Sequence, residues 1–335
     1  VRLPPAGEIG GARSSPVRRI RRAAPFHSVE GMTTPETITV EGLTRRFGDL
    51  TAVDHVDFTV ERGRMTGFVG GNGAGKTTTM RMIMGVLSVT EGQVLWGGRP
   101  ITTADQRTIG YMPEERGLYP KQKVADQLIY LGQLKGLSRK AARESVMTLL
   151  ERLGLGERTD DTVESLSLGN QQRVQIAAAL TIEPAALILD EPFSGLDPDA
   201  VDSMADLLRE HTARGVPVLF SSHQLDLVDR LCDELVILAK GRVRATGTPT
   251  ELRGGAPRRH RLVAARDAGW VREVPGIATL DVDGPTALVD VTADSEAERD
   301  RVLSLVLAEG LRRGGVTELS PVVPPLSEVY REVTA

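Results

Sequence analysis

Residues 68–81, FVGGNGAGKTTTMR, constrain this chain more than any other stretch. Gly70, four further residues, then Gly75, Lys76 and Thr77 spell a phosphate-binding loop. Gly73 and Gly75 let the backbone bend tightly and aim its N–H groups at phosphate oxygens. Lys76 supplies a point charge for the β and γ phosphates, and Thr77 offers a hydroxyl to Mg²⁺. Asn72, Ala74 and Thr78 complete the set expected to touch the nucleotide. The apolar run Met65 to Val69 reads as the strand before the loop, and Met80, Ile83, Met84 and Leu87 read as a helix whose N-terminus faces the anion. A nucleoside triphosphate is the expected ligand.

Composition narrows what can surround such a loop. At 335 residues and 40% hydrophobic content the chain can build one large or two ordinary cored domains. No run approaches the roughly 18 consecutive apolar residues that would cross a bilayer, so a membrane role would depend on another protein. The lone Cys232 cannot form an internal disulfide, which suits a cytosolic chain. Residues 1–31 hold six Arg against two Glu, so the remainder of this chain of net charge −4 stands near −8, which argues against a nucleic-acid-binding surface. The first thirty residues are rich in Pro, Gly, Ser and Arg without an apolar signal region, and they are expected to be disordered. Because Val1 begins the chain and Met32 opens a polar lead-in, a start read too far upstream is expected over a basic arm.

From Thr37 the pattern alternates through Ile38, Val40, Val53, Val56, Phe58 and Val60 around a turn at Gly48 and Asp49, predicting antiparallel strands. Phe47, placed in that turn, is a candidate platform for a purine ring. TEGQVLWGG gives another turn and strand, whereas IGYMPEERGLYP at 109–120 is too rich in Pro, Gly and charge for regular structure and reads as an exposed loop. Residues 124–153 have helical spacing with a break at 136–138 and form a small helical subdomain. LSLGNQQRVQIAAAL opens from a turn into a helix, and the strand Leu187 to Leu189 ends in Asp190 and Glu191. Adjacent carboxylates closing an apolar strand point to Mg²⁺ for Asp190 and to a water for Glu191. A second strand, Val216 to Phe220, brings His223 to the same sheet edge, where ligands of parallel sheets collect. Residues 235–253 read as one more strand and turn, and Gly254 to His260 as a linker. From Leu262 on, short alternating runs and a helix over Glu296 to Ala308 suggest an α+β appendage with no catalytic pattern.

Taken in order, these pieces resemble the ATP-binding subunits of ATP-binding cassette (ABC) transporters over residues 37 to about 252. The resemblance rests on Phe47, the loop at 70–77, the loop at 109–116, the signature LSLGNQQ at 166–172, LILDEP at 187–192, SGLD at 194–197 and His223. It implies an α/β phosphate-loop NTPase core with an antiparallel β subdomain and a helical subdomain, and a small C-terminal α+β appendage. The expected division is an N-terminal extension at 1–32, an ATPase domain at 37–253 and an accessory domain at 262–335. Two departures stand out. The family's usual Leu-Ser-Gly-Gly-Gln signature keeps Ser167 and Gly169 here but carries Leu168 and Asn170, and its γ-phosphate-sensing glutamine is replaced by Glu114, a carboxylate beside the phosphates.

The resemblance further implies ATP and Mg²⁺ as cofactors and a head-to-tail homodimer, or a heterodimer with a similar ATPase. Phe47 would stack the adenine, Thr77 and Asp190 would hold the metal, and the partner's copies of Ser167 and Gly169 would close on the γ-phosphate. Glu191, His223 and Lys76 form the expected catalytic set, with Glu114 sensing the phosphates and Asp197 coupling the two sites. The subunit would power a separately encoded permease at the cytoplasmic face of the membrane. The IGYMPEERGLYP loop, the LSLGN signature and the C-terminal PPLSEVYREV look most like exporters of the multidrug, antibiotic-resistance or sodium-efflux type. The contact is expected in the groove between Glu114 to Pro120 and the helix from Val124, with Leu118 and Tyr119 exposed. A soluble regulatory ATPase is the alternative, although translation-type relatives carry two cassettes and repair-type relatives a long coiled coil.

Overall fold

The computed structural model describes residues 35–115, 117–254, 259–293 and 295–334. The expectation for residues 1–32 lies outside the described residues, as does most of the linker at 254–260.

The chain begins with a hairpin, β1 (Ile38–Phe47) and β2 (Leu50–Val60), in which Val40 faces Phe58 and Phe47 faces Leu50. Phe47 therefore ends a strand, one step before the turn in which it was expected. β3 (Met65–Val69) is buried at every position, which marks a central strand covered on both faces. It feeds the glycine-rich loop and then α1 (Lys76–Ile83). β4 (Glu91–Trp96) returns beside β1, and β5 (Arg99–Pro100) makes the edge, giving an antiparallel sheet in the order β2-β1-β4-β5. The helix α2 (Thr103–Thr108), closed by a Thr102–Asp105 capping box, has no counterpart in the sequence reading.

The segment expected to be an irregular loop begins instead with β6 (Ile109–Met112), a largely buried strand paired in parallel with β7 (Ala186–Leu189). Only from Pro113 does the chain leave the sheet. Between them lie α3 (Val124–Leu134), α4 (Arg139–Arg152) and α5 (Leu168–Ala179), the first two separated by the break at 136–138. There follow α6 (Pro198–Thr212), β8 (Val218–Ser222) and α7 (Leu225–Leu231). Residues 235–253, read as one strand, form a hairpin of two, β9 (Glu234–Ala239) and β10 (Arg242–Gly247), with a short α8 (Pro249–Leu252). The sheet order is β10-β9-β3-β8-β7-β6, and β3, β6, β7, β8 and β9 run parallel.

Period-two alternation divides the parallel strands between two cores. Leu187, Leu189, Val218 and Phe220 face the core shared with α3 to α7, while Ile188 and Leu219 face the one shared with α1 and the antiparallel sheet. With both faces covered, the C-terminal ends of β3, β7 and β8 are left to build a site.

The C-terminal part holds β11 (Arg259–Ala264), β12 (Ile277–Asp283), β13 (Thr286–Val291), α9 (Glu296–Arg312) and β14 (Val316–Pro321), with sheet order β12-β13-β11-β14. Its own core gathers Leu262, Trp270, Val271, Val289 and Val306. The last helix, α10 (Leu326–Thr334), departs from that core: Leu326 and Val329 are buried with Met65 and Val69 of β3.

Candidate functional site

The loop after β3 is shaped by steric exclusion. A Cβ on Gly70 would lie 2.7 Å from the Leu238 carbonyl oxygen and 2.9 Å from the Ala74 Cβ. Gly73 and Gly75 take φ of 74° and 106°, a region that L side chains avoid. The resulting turn delivers Lys76 to the start of α1 with its ammonium buried inside the loop, where Nζ donates to the Gly70 carbonyl at 2.6 Å and to the Gly71 carbonyl at 3.3 Å. The Thr77 hydroxyl donates to Glu114 Oε2 at 3.2 Å, so the carboxylate of the 109–116 loop is in the site. Asn72, Ala74, Thr78, Asp190, Glu191 and His223 line the same cleft of about 940 Å³.

The two adjacent carboxylates are separated by their backbone into different environments. Asp190 is 1% exposed; its Oδ1 accepts from the Ser221 hydroxyl at 2.5 Å, and its Oδ2 has no hydrogen-bond partner among the described residues. An orphaned buried carboxylate oxygen lining the same cleft as the Thr77 hydroxyl is an oxygen donor set that suits Mg²⁺. Glu191 takes φ of 52°, in the left-handed region, and this turns its side chain toward the cleft. Its Oε2 stands 3.0 Å from His223 Nδ1. Burial raises the Glu191 carboxyl above the ordinary value, opposed by the hydrogen bond to His223 and by the charges of His223 and Lys76. The Glu191 carboxylate thus accepts from His223 within the field of the loop lysine.

The other expected residues stand apart from this cluster. Phe47 is 46% exposed, with the Arg45 guanidinium 4.5 Å from its ring centroid, and Leu50 to Ala52 rather than Phe47 line the cleft. Ser167 caps α5 by accepting from Asn170 N at 3.4 Å and is exposed, while Gly169 packs near the Gly195 carbonyl. Neither lines the cleft, although Leu168 does. Asp197 caps α6 through Ala200 N at 2.8 Å and reaches Arg173 of α5 at 3.4 Å.

Three contributors escaped the sequence reading. Ser221 accepts from Glu191 N at 2.8 Å while donating to Asp190, tying the Asp190 carboxylate and the Glu191 backbone to β8. Gln172 of α5 donates to the carbonyls of Glu191 and Pro192 at 2.8 and 3.0 Å, tying the signature helix to the end of β7. The Lys240–Gly241 turn lines the cleft, and Gly241 N donates to the Ala74 carbonyl at 3.1 Å. Gln172 was inside the quoted signature and Ser221 directly followed the strand Val216 to Phe220, but nothing in their spacing distinguished them; Lys240 was one basic residue in a turn.

Comparison with known proteins agrees with this geometry. The family model for ABC transporters matches residues 53–194. The uncharacterized ABC transporter ATP-binding protein YhaQ of Bacillus subtilis (strain 168) is 47% identical over 216 residues, covering 64% of this chain and 72% of the relative. The linearmycin resistance ATP-binding protein LnrL of the same organism is 31% identical over 278 residues, 80% of this chain and 88% of its own length. A solved structure of an ATP-binding subunit of an ABC transporter superposes with a TM-score of 0.60 at 33% identity, over 65% of this chain and 92% of that one. Identity of 47% across nearly three quarters of a relative, on the same fold, leaves one assignment: the chain belongs to the ABC transporter family as an ATP-binding subunit, and it is an ATPase.

Proposed function

We propose that this subunit holds ATP and Mg²⁺ in the cleft beside the 70–77 loop, hydrolyses ATP through Glu191 and His223, and powers a separately encoded permease for export. The observation that carries the reading is the Glu191–His223 pair at 3.0 Å beside buried Asp190, in one cleft with Lys76. In this arrangement Lys76 neutralises phosphate charge, Glu191 orients and accepts a proton from the attacking water, and His223 keeps the carboxylate in place and stabilises developing charge. Thr77 and Asp190 would hold Mg²⁺, which when bound offsets charge on the phosphate oxygens. The Thr77–Glu114 hydrogen bond supports a role for Glu114 at the metal's edge. Each chain carries one loop and one signature, and the exposed α5 N-terminus at Ser167 supports a second chain completing the site, at the cytoplasmic face of a membrane.

No helix among the described residues is long and apolar enough to cross a membrane, which supports a permease as partner. A groove of about 800 Å³, lined by Leu118, Leu131, Leu134, Lys135 and Gln175, supports its docking place. Tyr119 is exposed as expected, but Leu118 packs partly against the main core. The resistance function named for LnrL favours an exporter of antibiotic-like molecules.

The test is Glu191→Gln. Steady-state hydrolysis should fall about 10²- to 10⁴-fold, the usual worth of a general base, while an ATP-bound dimer accumulates on size exclusion. Wild-type turnover in that variant would remove Glu191 from catalysis.

A further inference from the structure

The last helix touches the phosphate loop. Gly71 N donates to the Tyr330 hydroxyl at 2.9 Å, across a sequence separation of 259 residues. This N–H belongs to the peptide unit whose carbonyl is that of Gly70, and in a trans peptide the two point in opposite directions. The Gly70 carbonyl accepts from Lys76 Nζ at 2.6 Å. Tyrosine oxygen, peptide plane and lysine ammonium therefore form one line of hydrogen bonds, in which each bond polarises the next.

We infer that Tyr330 is a positioning residue for ATP binding: by holding the Gly70–Gly71 peptide, it fixes the carbonyl that fixes the Lys76 ammonium. An ammonium has three donors. With two spent on the Gly70 and Gly71 carbonyls, one remains for the cleft that Lys76 lines, so the loop meets the phosphates with its lysine already placed. Pre-placement of this kind strengthens binding by lowering the ordering that binding requires.

The tyrosine is held by more than its own contact. Leu326 and Val329 bury α10 in the core that contains β3, the strand feeding the loop. Arg253 donates to the Pro324 carbonyl at 2.9 Å and pairs with Asp229 of the segment under the sheet, closing the entry to α10. The Tyr330 ring packs against the same core, and its hydroxyl reaches the loop. The C-terminal segment is thereby coupled to nucleotide affinity: whatever displaces α10 loosens the loop.

The inference rests on the cleft being the ATP site, and its test separates the two. Tyr330→Phe keeps the ring and deletes the hydroxyl. Calorimetric Kd for ATP should rise about 3- to 10-fold, the worth of one net hydrogen bond. In the nucleotide-free protein, hydrogen exchange of the Gly71 amide should quicken, and the melting temperature should stay within a degree or so of wild type. Unchanged amide exchange would show that the contact is not made, and quickened exchange with unchanged Kd would show that it does not position Lys76; either overturns the inference. Wild-type protein that fails to bind ATP would overturn the reading of the cleft itself, and the inference with it.

Discussion

His211 shows how strongly one position can bias the molecule. It is 1% exposed near the end of α6, and Arg214 Nη2 donates to its Nδ1 at 2.7 Å. Burial, and then the guanidinium charges of Arg214 and Arg152, push its pKa from 6.5 to about 3. The folded form thus refuses a proton that the unfolded chain accepts. Stability from this group is complete above the unfolded value near 6.5 and is lost as pH falls toward about 3, at up to about 1.4 kcal/mol per pH unit. Urea unfolding of His211→Gln should show a shallower decline than wild type between pH 6 and about 4; parallel declines would refute it. The chemical residues were the legible ones. Asp190 and Glu191 announced themselves because charge at the end of an apolar run requires a reason, Lys76 by its offset in the glycine loop, and His223 by its place at the sheet edge. Ser221, Gln172 and Tyr330 are ordinary polar or aromatic residues whose roles come from what they meet.

Among elements, β6 is the instructive one. IGYM followed by PEERG carries glycine, proline and charge that ordinarily signal a loop, yet its four residues complete the parallel sheet. Gly110 is there for close approach rather than for a turn: a Cβ would lie 2.5 Å from the Ala179 carbonyl oxygen of α5 and 2.6 Å from a Leu187 methyl. Backbone cannot give way as a side chain can. Gly110→Ala should destabilise the protein by about 1–3 kcal/mol, the usual penalty for overpacking, visible as a lower urea midpoint; a neutral outcome would mean that α5 shifts freely. Because α5 carries the signature and Gln172, the same variant should also slow hydrolysis. The hairpin of β9 and β10 was blurred for a different reason: its polar, half-exposed second strand lacks an apolar run.

At the scale of the whole molecule, the groove beside α3 is where the ATPase would meet its permease. Burial lowers the Lys135 pKa to about 8, and the Gln175 side chain, 5% exposed, leaves both amide atoms without hydrogen-bond partners among the described residues. Leu134 stands exposed at the rim and contributes little to folding. Leu134→Arg should leave the ATPase rate of the isolated subunit within about twofold, as expected of a surface change, while reducing co-purification with a co-expressed membrane permease. Retained co-purification would move the docking site elsewhere. Beyond the groove, α10 leaves the C-terminal sheet, which has its own core, and packs into the core that contains β3.

The phosphate loop with which the sequence reading began is determined locally. Left-handed glycines, a lysine and a threonine at fixed offsets need only the chain's own stereochemistry to make an anion cradle, so their spelling suffices. The strand-end carboxylates were legible for a similar reason, since burying charge is too costly to happen without cause. Tertiary structure alone decided what braces these groups: the serine that holds the Asp190 carboxylate and the Glu191 backbone, the glutamine joining the signature helix to the end of β7, and the tyrosine that reaches the loop from the far end of the chain. Those contacts are one or two hydrogen bonds apiece between residues distant in sequence. They leave no periodicity or spacing behind, and only the packing of three cores brings their partners within reach.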